Sequence, residues 1–233
     1  MPERQAPQVR HELKYFITYS EYLVLRDRLR AAMPIDRNAD RELRTYHIRS
    51  LYFDDIYNSA MWDKMDGLHT RKKWRIRIYN YSDTQINLEK KGKFDRYTTK
   101  ESAKLSRYQV DQMLRHRDYG FLISSRNPLM EEMYSDVRTK LLRPIVIVDY
   151  IREPYIFPAG NVRITFDMNL HSGHFSTDLF KKEMMPVPVL EPEEMIMEIK
   201  YTSTLPGHLR DILSTTNGLR SAISKYALCR KYH

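Results

Sequence analysis

The stretch "WRIRIYNY", residues 74–81, sets two arginines two positions apart inside an apolar, aromatic-rich run. Strand side chains alternate between faces, so Arg75 and Arg77 point one way and Trp74, Ile76 and Ile78 the other. One such strand fits a one-sided sheet whose polar face meets water. The pattern does not stay with one strand. In "HELKYFI" (11–17), Glu12 and Lys14 oppose Leu13, Tyr15 and Ile17, and in "NLEKKGK" (87–93), Asn87, Glu89 and Lys91 share a face. In "IVIVDYIRE" (145–153), Tyr150 and Arg152 lie opposite Asp149 and Ile151. "VRITFDM" (162–168) sets Arg163, Thr165 and Asp167 against Ile164, Phe166 and Met168, and "MIMEIKY" (195–201) sets Glu198 and Lys200 against Met197, Ile199 and Tyr201.

Six strands with one apolar face and one face holding Lys or Arg point to a sheet rolled on itself, polar side inward, with helices covering the outside. The expected fold is α+β: an antiparallel eight-stranded barrel. Glu12, Lys14, Arg75, Arg77, Lys91, Arg152, Arg163, Glu198 and Lys200 are expected to face one cavity. Cations so confined repel one another, and each desolvated ion costs several kcal/mol unless paired. Glu12, Glu89 and Glu198 are too few to neutralise Lys14, Arg75, Arg77, Lys91, Arg152, Arg163 and Lys200, so the missing counter-charge is expected to be a ligand. A chain of phosphates fits, because Arg offers a bidentate fork to phosphate oxygens and Lys a compact charge.

Composition agrees. The 233 residues can bury a sizeable core, and 42% of them are hydrophobic, as in a globular chain. Lys and Arg number 39 against 30 Asp and Glu, a net +9 that favours polyanionic partners. No apolar run is long enough for a membrane span, and "MPERQAPQVRHELKY" lacks the apolar centre of a signal peptide, so the expected compartment is the cytoplasm. The lone Cys229 excludes an intrachain disulfide and a cysteine-based zinc site. Nucleic-acid binding would want exposed basic patches interleaved with stacking aromatics, whereas many of the 17 tyrosines fall on apolar faces or helices, so no nucleic-acid partner is expected.

The chain reads as a short disordered tail (1–9) followed by one domain (10–233). Ser20 is expected to cap the first helix, Asp54 or Asp55 to cap a short one after "YHIRSLYFD" (46–54), and "YSDT" to turn a hairpin. Ser106 opens a helix through Leu114, and Pro128 suits the first position of another running to about Leu142. Helices near "GHLRDILSTT" and "SAISKYALCRKY" close the chain. His171 and His174 in "HSGH" are expected in a solvated turn, and "KKEMMPVPVLEPEEM" in an irregular excursion.

In order, "RHELKY", "SLYFDD", "RIRIY", "LEKKGK", "DYIREPY", "VRITFD", "MEIKY" and "SKY" resemble the VTC domain, the polyphosphate polymerase domain of vacuolar transporter chaperone proteins. The resemblance covers residues 10–233 and implies the superfamily of triphosphate tunnel metalloenzymes, in the bacterial stand-alone form. It implies transfer of the γ-phosphoryl of ATP to a growing polyphosphate. Arg75, Arg77, Lys91, Arg152 and Arg163 would cradle the phosphates, and Lys14, Tyr150, Lys200, Ser224 and Lys225 would bind substrate or product. Mn²⁺ or Mg²⁺ would sit on Glu198, helped by Glu12 or Glu89. Two positions depart from relatives: Ala222 replaces a lysine of the eukaryotic polymerase, and Arg10 the first glutamate of the triphosphatase and cyclase branch. No counterpart of the phosphate-sensing domain and membrane helices of the eukaryotic proteins is expected. Alternatives are a tripolyphosphate or nucleoside triphosphate hydrolase of the same fold and a non-catalytic polyphosphate-binding module.

Overall fold

The computed structural model describes residues 11–94, 97–173, 176–182, 186–215 and 218–231; the expected tail (1–9), Arg10, His174 and His233 lie outside them. In chain order the elements are β1 (His11–Thr18), α1 (Tyr19–Ala32), β2 (Tyr46–Asp54), α2 (Ser59–Met65), β3 (Thr70–Tyr79), β4 (Ile86–Phe94) and β5 (Tyr97–Leu105). Then come α3 (Arg107–Asp111), a π-helical turn (Gln112–His116), α4 (Gly120–Ser124), α5 (Pro128–Lys140) and β6 (Arg143–Phe157). A short 3₁₀ turn leads to β7 (Val162–Gly173), β8 (Val187–Pro188), β9 (Glu194–Tyr201), α6 (Gly207–Leu213), β10 (Leu219–Arg220) and α7 (Lys225–Arg230).

The chain forms two compact units, each drawn from three segments. The first holds residues 1–46, 150–170 and 190–223; the second holds 47–149, 171–189 and 224–233. In the first, the strand order is β10-β1-β9-β7-β6; in the second it is β6-β2-β3-β4-β5, with β8 on β7. β6 contributes to both. The fold class is the expected antiparallel α+β sheet, but its ten strands differ in one respect from the expected eight-stranded barrel. The order is open, with no hydrogen-bonded pair between β10 and β5 among the described residues. At one end stands a strand of only two residues, too short for a full closing ladder.

Strand alternation decides what each unit buries. In the first unit Ile17, Ile164, Phe166, Met197 and Ile199 pack beneath Tyr22, Leu25 and Leu29 of α1 and Leu209 of α6. Leu29 is fully buried; truncating such a leucine to alanine costs about 2–5 kcal/mol. α1 begins two residues earlier than Ser20 suggests. Thr18 is the N-cap, in a capping box with Glu21, because its hydroxyl and the Glu21 carboxylate satisfy each other's backbone N–H groups. Glu153 on the apolar side of β6 is buried, and it accepts hydrogen bonds from the Tyr22 and Tyr155 hydroxyls at 2.5 and 2.6 Å.

In the second unit Leu51, Phe53, Trp74, Ile76, Ile78 and Leu88 meet Val110, Met113, Leu122, Met130 and Met133 from the helical segment. α5 starts at Pro128 as expected, capped by Asn127. Asp136 of α5 accepts the Trp74 indole N–H at 2.8 Å and fastens the helix to β3. Asp54 and Asp55 both serve α2: Asp54 accepts from the N–H of Ala60, Asp55 from that of Ser59. His171 is not in a turn. It lies on β7, paired with Pro188 of β8, because the strand continues past it to Gly173 and Ser172 pairs with Val187. No helix among the described residues is long and apolar enough to cross a membrane.

Candidate active site

The charged faces form one cluster in each unit. In the second, the registers pair Arg77 with Asn87, Arg75 with Glu89 and Lys73 with Lys91 across β3 and β4. Across β4 and β5 they pair Glu89 with Ser102 and Lys91 with Lys100. Cations therefore stack along neighbouring strands on the face away from the core. The Glu89 carboxylate is at their centre. Arg75 reaches it at 2.6 Å, Lys100 at 2.7 Å and Arg77 at 4.0 Å. Burial raises the affinity of Glu89 for a proton, but Arg75, Arg77 and Lys100 outweigh it and hold the carboxyl at about 2. Arg75 also donates to the Tyr52 hydroxyl at 2.8 Å, and Arg77 to Ser50 at 3.0 Å. Although burial raises the Tyr52 phenol, Arg75, Arg77 and Lys225 bring it below its ordinary range.

The first unit is balanced differently. Glu12 pairs in register with Lys200 and Lys14 with Glu198 on β1 and β9; Arg163 and Thr165 on β7 face Lys200 and Glu198. Lys200 meets Glu198 at 2.7 Å, Lys14 meets Glu12 at 2.9 Å, and Arg152 meets Glu198 at 3.3 Å. Arg152 also grips Asp167 bidentately at 2.6 and 2.8 Å. Burial opposes the Arg152 charge, yet Asp167 foremost, with Tyr150 and Glu198, holds it protonated well above its ordinary range. Burial pushes the Lys200 ammonium down to about 8 against the pull of Glu198 and Glu12.

Of the nine side chains expected in one cavity, Glu12, Lys14, Arg152, Glu198 and Lys200 thus gather in the first unit, and Arg75 and Arg77 gather around Glu89 in the second. Lys91 stands on the same β4 face as Glu89. Arg163 turns to Asp36 at 2.8 Å and the Tyr46 hydroxyl at 2.7 Å, leaving its buried Nε without a partner. The Tyr150 ring lies 5.4 Å from the Arg152 guanidinium. Ser224 is the N-cap of α7, its hydroxyl accepting the Ala227 N–H, and Lys225 opens that helix.

The charge balance expected from sequence holds for one unit only. Counting Asp167, which alternation had placed on the inner face without a partner, the first unit matches Lys14, Arg152 and Lys200 with Glu12, Asp167 and Glu198. The excess of cations lies in the second unit, where Lys73, Arg75, Arg77, Lys91 and Lys100 surround Glu89. Lys73 and Lys100 are the functional candidates missed at the sequence level; both follow from extending the two-residue period along β3 and β5.

Among the described residues there is no group of three or more His, Cys, Asp or Glu able to hold a metal ion. The first unit nonetheless suits an ion carried in on phosphates. Glu12 and Glu198 already share one cation, the Lys14 ammonium, at 2.9 and 3.9 Å. The buried Thr165 hydroxyl, opposite Glu198 in register, has no partner. Two carboxylates plus substrate oxygens are the usual shell of Mg²⁺, whereas an all-protein cage is not. In the second unit, both Glu89 oxygens are already engaged by Arg75 and Lys100.

No curated protein matches the sequence. Among solved structures, a candidate adenylyl cyclase from Hippeastrum with a dominant triphosphatase activity is similar, with a TM-score of 0.56 and 11% identity, over 95% of this chain and 96% of its own. A candidate adenylate cyclase from Bacillus halodurans gives 0.52 and 12%, over 89% and 86%. Such identities speak for the fold alone. The VTC domain family matches residues 9–232, nearly the whole chain and every motif quoted from it, and the chain belongs to that family.

Proposed function

We propose that the chain is a divalent-metal-dependent phosphotransferase that moves the γ-phosphoryl of ATP onto the end of an inorganic polyphosphate, releasing ADP. The observation that carries this reading is the cation-rich face of β3, β4 and β5, where Arg75 and Arg77 flank a single carboxylate and Lys91 and Lys100 extend the row. Phosphoryl transfer proceeds through a loose transition state, so a protein catalyses it by positioning the phosphates and neutralising their charge. Arg75 and Arg77 are the forks for phosphate oxygens, with Lys91 beside them. Arg152, fixed by Asp167, and Arg163, with its unpartnered Nε, are the donors of the first unit. Lys14 and Lys200 would exchange their contacts with Glu12 and Glu198 for phosphate oxygens, and Tyr150 keeps the Arg152 plane oriented. Lys225 and Ser224, at the N-terminal end of α7, complete the set of substrate-binding residues. Glu12 and Glu198 would hold Mn²⁺ or Mg²⁺, which when bound would neutralise charge on the phosphate oxygens. The third expected ligand, Glu89, serves instead as counter-ion to Arg75.

A second reading is favoured by the three carboxylates of the first unit, Glu12, Asp167 and Glu198, on one set of registers. Such a set suits a hydrolase in which water replaces the polyphosphate end as acceptor, the activity attributed to the Hippeastrum protein. Incubating the chain with ATP and Mn²⁺, and measuring polyphosphate and free phosphate separately, distinguishes the two. Polyphosphate with one ADP per phosphoryl residue incorporated supports transfer, free phosphate with ADP and no polyphosphate supports hydrolysis, and binding without turnover leaves a polyphosphate-binding module.

A further inference from the structure

The inner face of β3 does not end at Arg75. Lys73 lies on it two residues earlier, opposite Lys91 of β4, and Arg71 continues the same parity. The Lys73 ammonium sits over the ring of Tyr226 in α7, 4.6 Å from its centroid. The charged and titratable groups facing it are Lys64 of α2, Arg71 of β3, Asp54 of β2, Lys91 of β4 and the Tyr226 phenol. Three of these are cations. The carboxylate is already committed, since Asp54 accepts from the Tyr226 hydroxyl and from the N–H groups of Asp55, Ala60 and Met61. Among the described residues no carboxylate forms an ion pair with Lys73.

A half-buried amine in such surroundings can lower its energy by giving up its proton or by gaining an anion. We propose that Lys73 is a further phosphate-binding residue of the β3 face, and that it takes up a proton from solvent as phosphate oxygens arrive beside it. The inference rests on the phosphate-binding reading given above and adds a residue and a proton to it. Burial first, then Lys64 and Arg71, push the Lys73 ammonium down to about 7. Near pH 8 the unliganded amine is therefore mostly neutral, and binding a polyanion restores its charge. The proton joins the amine lone pair, and no bond breaks in the protein.

Calorimetry with tripolyphosphate tests this at pH 8 in Tris and in HEPES, whose different protonation enthalpies report the protons exchanged on binding. The wild type is expected to take up close to one more proton per ligand than K73R, because arginine is charged throughout. K73R should also lose clearly less affinity between pH 7 and pH 9 than the wild type, the remaining loss coming from Lys200. K73M, which removes a half-buried charge without a carboxylate partner, should fold, lose the uptake and bind more weakly at pH 7. Binding with the same proton uptake in all three proteins would overturn this inference alone. Folded wild type that fails to bind tripolyphosphate at low salt would overturn the phosphate-binding reading and this one with it.

Discussion

Replacing Glu89 by Gln separates what the carboxylate does for the fold from what its cations do for a ligand. Glu89 is 2% exposed and is held at about 2 against an ordinary 4.5. A shift of about 2.5 units corresponds to about 3 kcal/mol of stability at neutral pH. The folded state depresses this carboxyl, so the contribution is complete above pH 4.5 and disappears as pH falls toward 2. At pH 3 the linkage relation leaves about 1.4 kcal/mol of it. Urea unfolding followed by tryptophan fluorescence should show E89Q losing on the order of 1 M in midpoint at pH 7, and less than half of that at pH 3. The same variant frees Arg75 and Arg77 from their counter-ion, so its affinity for tripolyphosphate at pH 7 should rise about tenfold, the equivalent of about 1.4 kcal/mol. Stability and affinity thus move in opposite directions. A stability deficit of equal size at both pH values would locate the effect in packing rather than charge. Unchanged stability at pH 7 would refute the clamp altogether.

Three other substitutions test the rest. Glu198→Gln should abolish metal-dependent turnover while leaving polyphosphate affinity equal or higher, and a stable variant with full turnover would exclude Glu198 as a metal ligand. Asp167→Asn breaks the buried bidentate pair with Arg152 and should cost about 3–5 kcal/mol in denaturant unfolding; a loss within the error of the wild type would show that Glu198 suffices to hold Arg152. Trp74→Phe removes the indole donor to Asp136 and should cost about 1.5–3 kcal/mol, with α5 the first element to lose hydrogen-exchange protection.

The two-residue alternation made the strands legible because apolar and charged side chains separate cleanly on them. Trp74, Ile76 and Ile78 enter the core, and Arg75 and Arg77 take the opposite face. Helix ends were less legible. The Thr18 cap depends on Glu21 folding back, and the α2 start depends on two aspartates that also end β2. Electrostatic balance was the least legible. Sequence parity puts Asp167 on the charged face but cannot say that Arg152, fifteen residues away, grips it with both oxygens. Asp36, the partner of Arg163, lies in an irregular segment 127 residues away, where no period applies. Lys73 was within reach of the alternation rule one step before "WRIRIYNY". Its lack of a carboxylate partner depends on three-dimensional neighbours from α2 and α7.

The pairing of β1 with β9 and β10 sets the order in which the molecule can be made. His11 aligns with Tyr201 and Thr18 with Glu194, while Tyr15 aligns with Arg220. A ribosome adding ~5–20 residues per second needs roughly ten to forty seconds between the emergence of β1 and of its first partner. During that interval the unsatisfied backbone edge of "HELKYFIT" is exposed to other chains. Ribosome-bound intermediates lacking β9 should therefore engage chaperones through this strand, and truncation before residue 194 should leave β1 without either of its sheet partners.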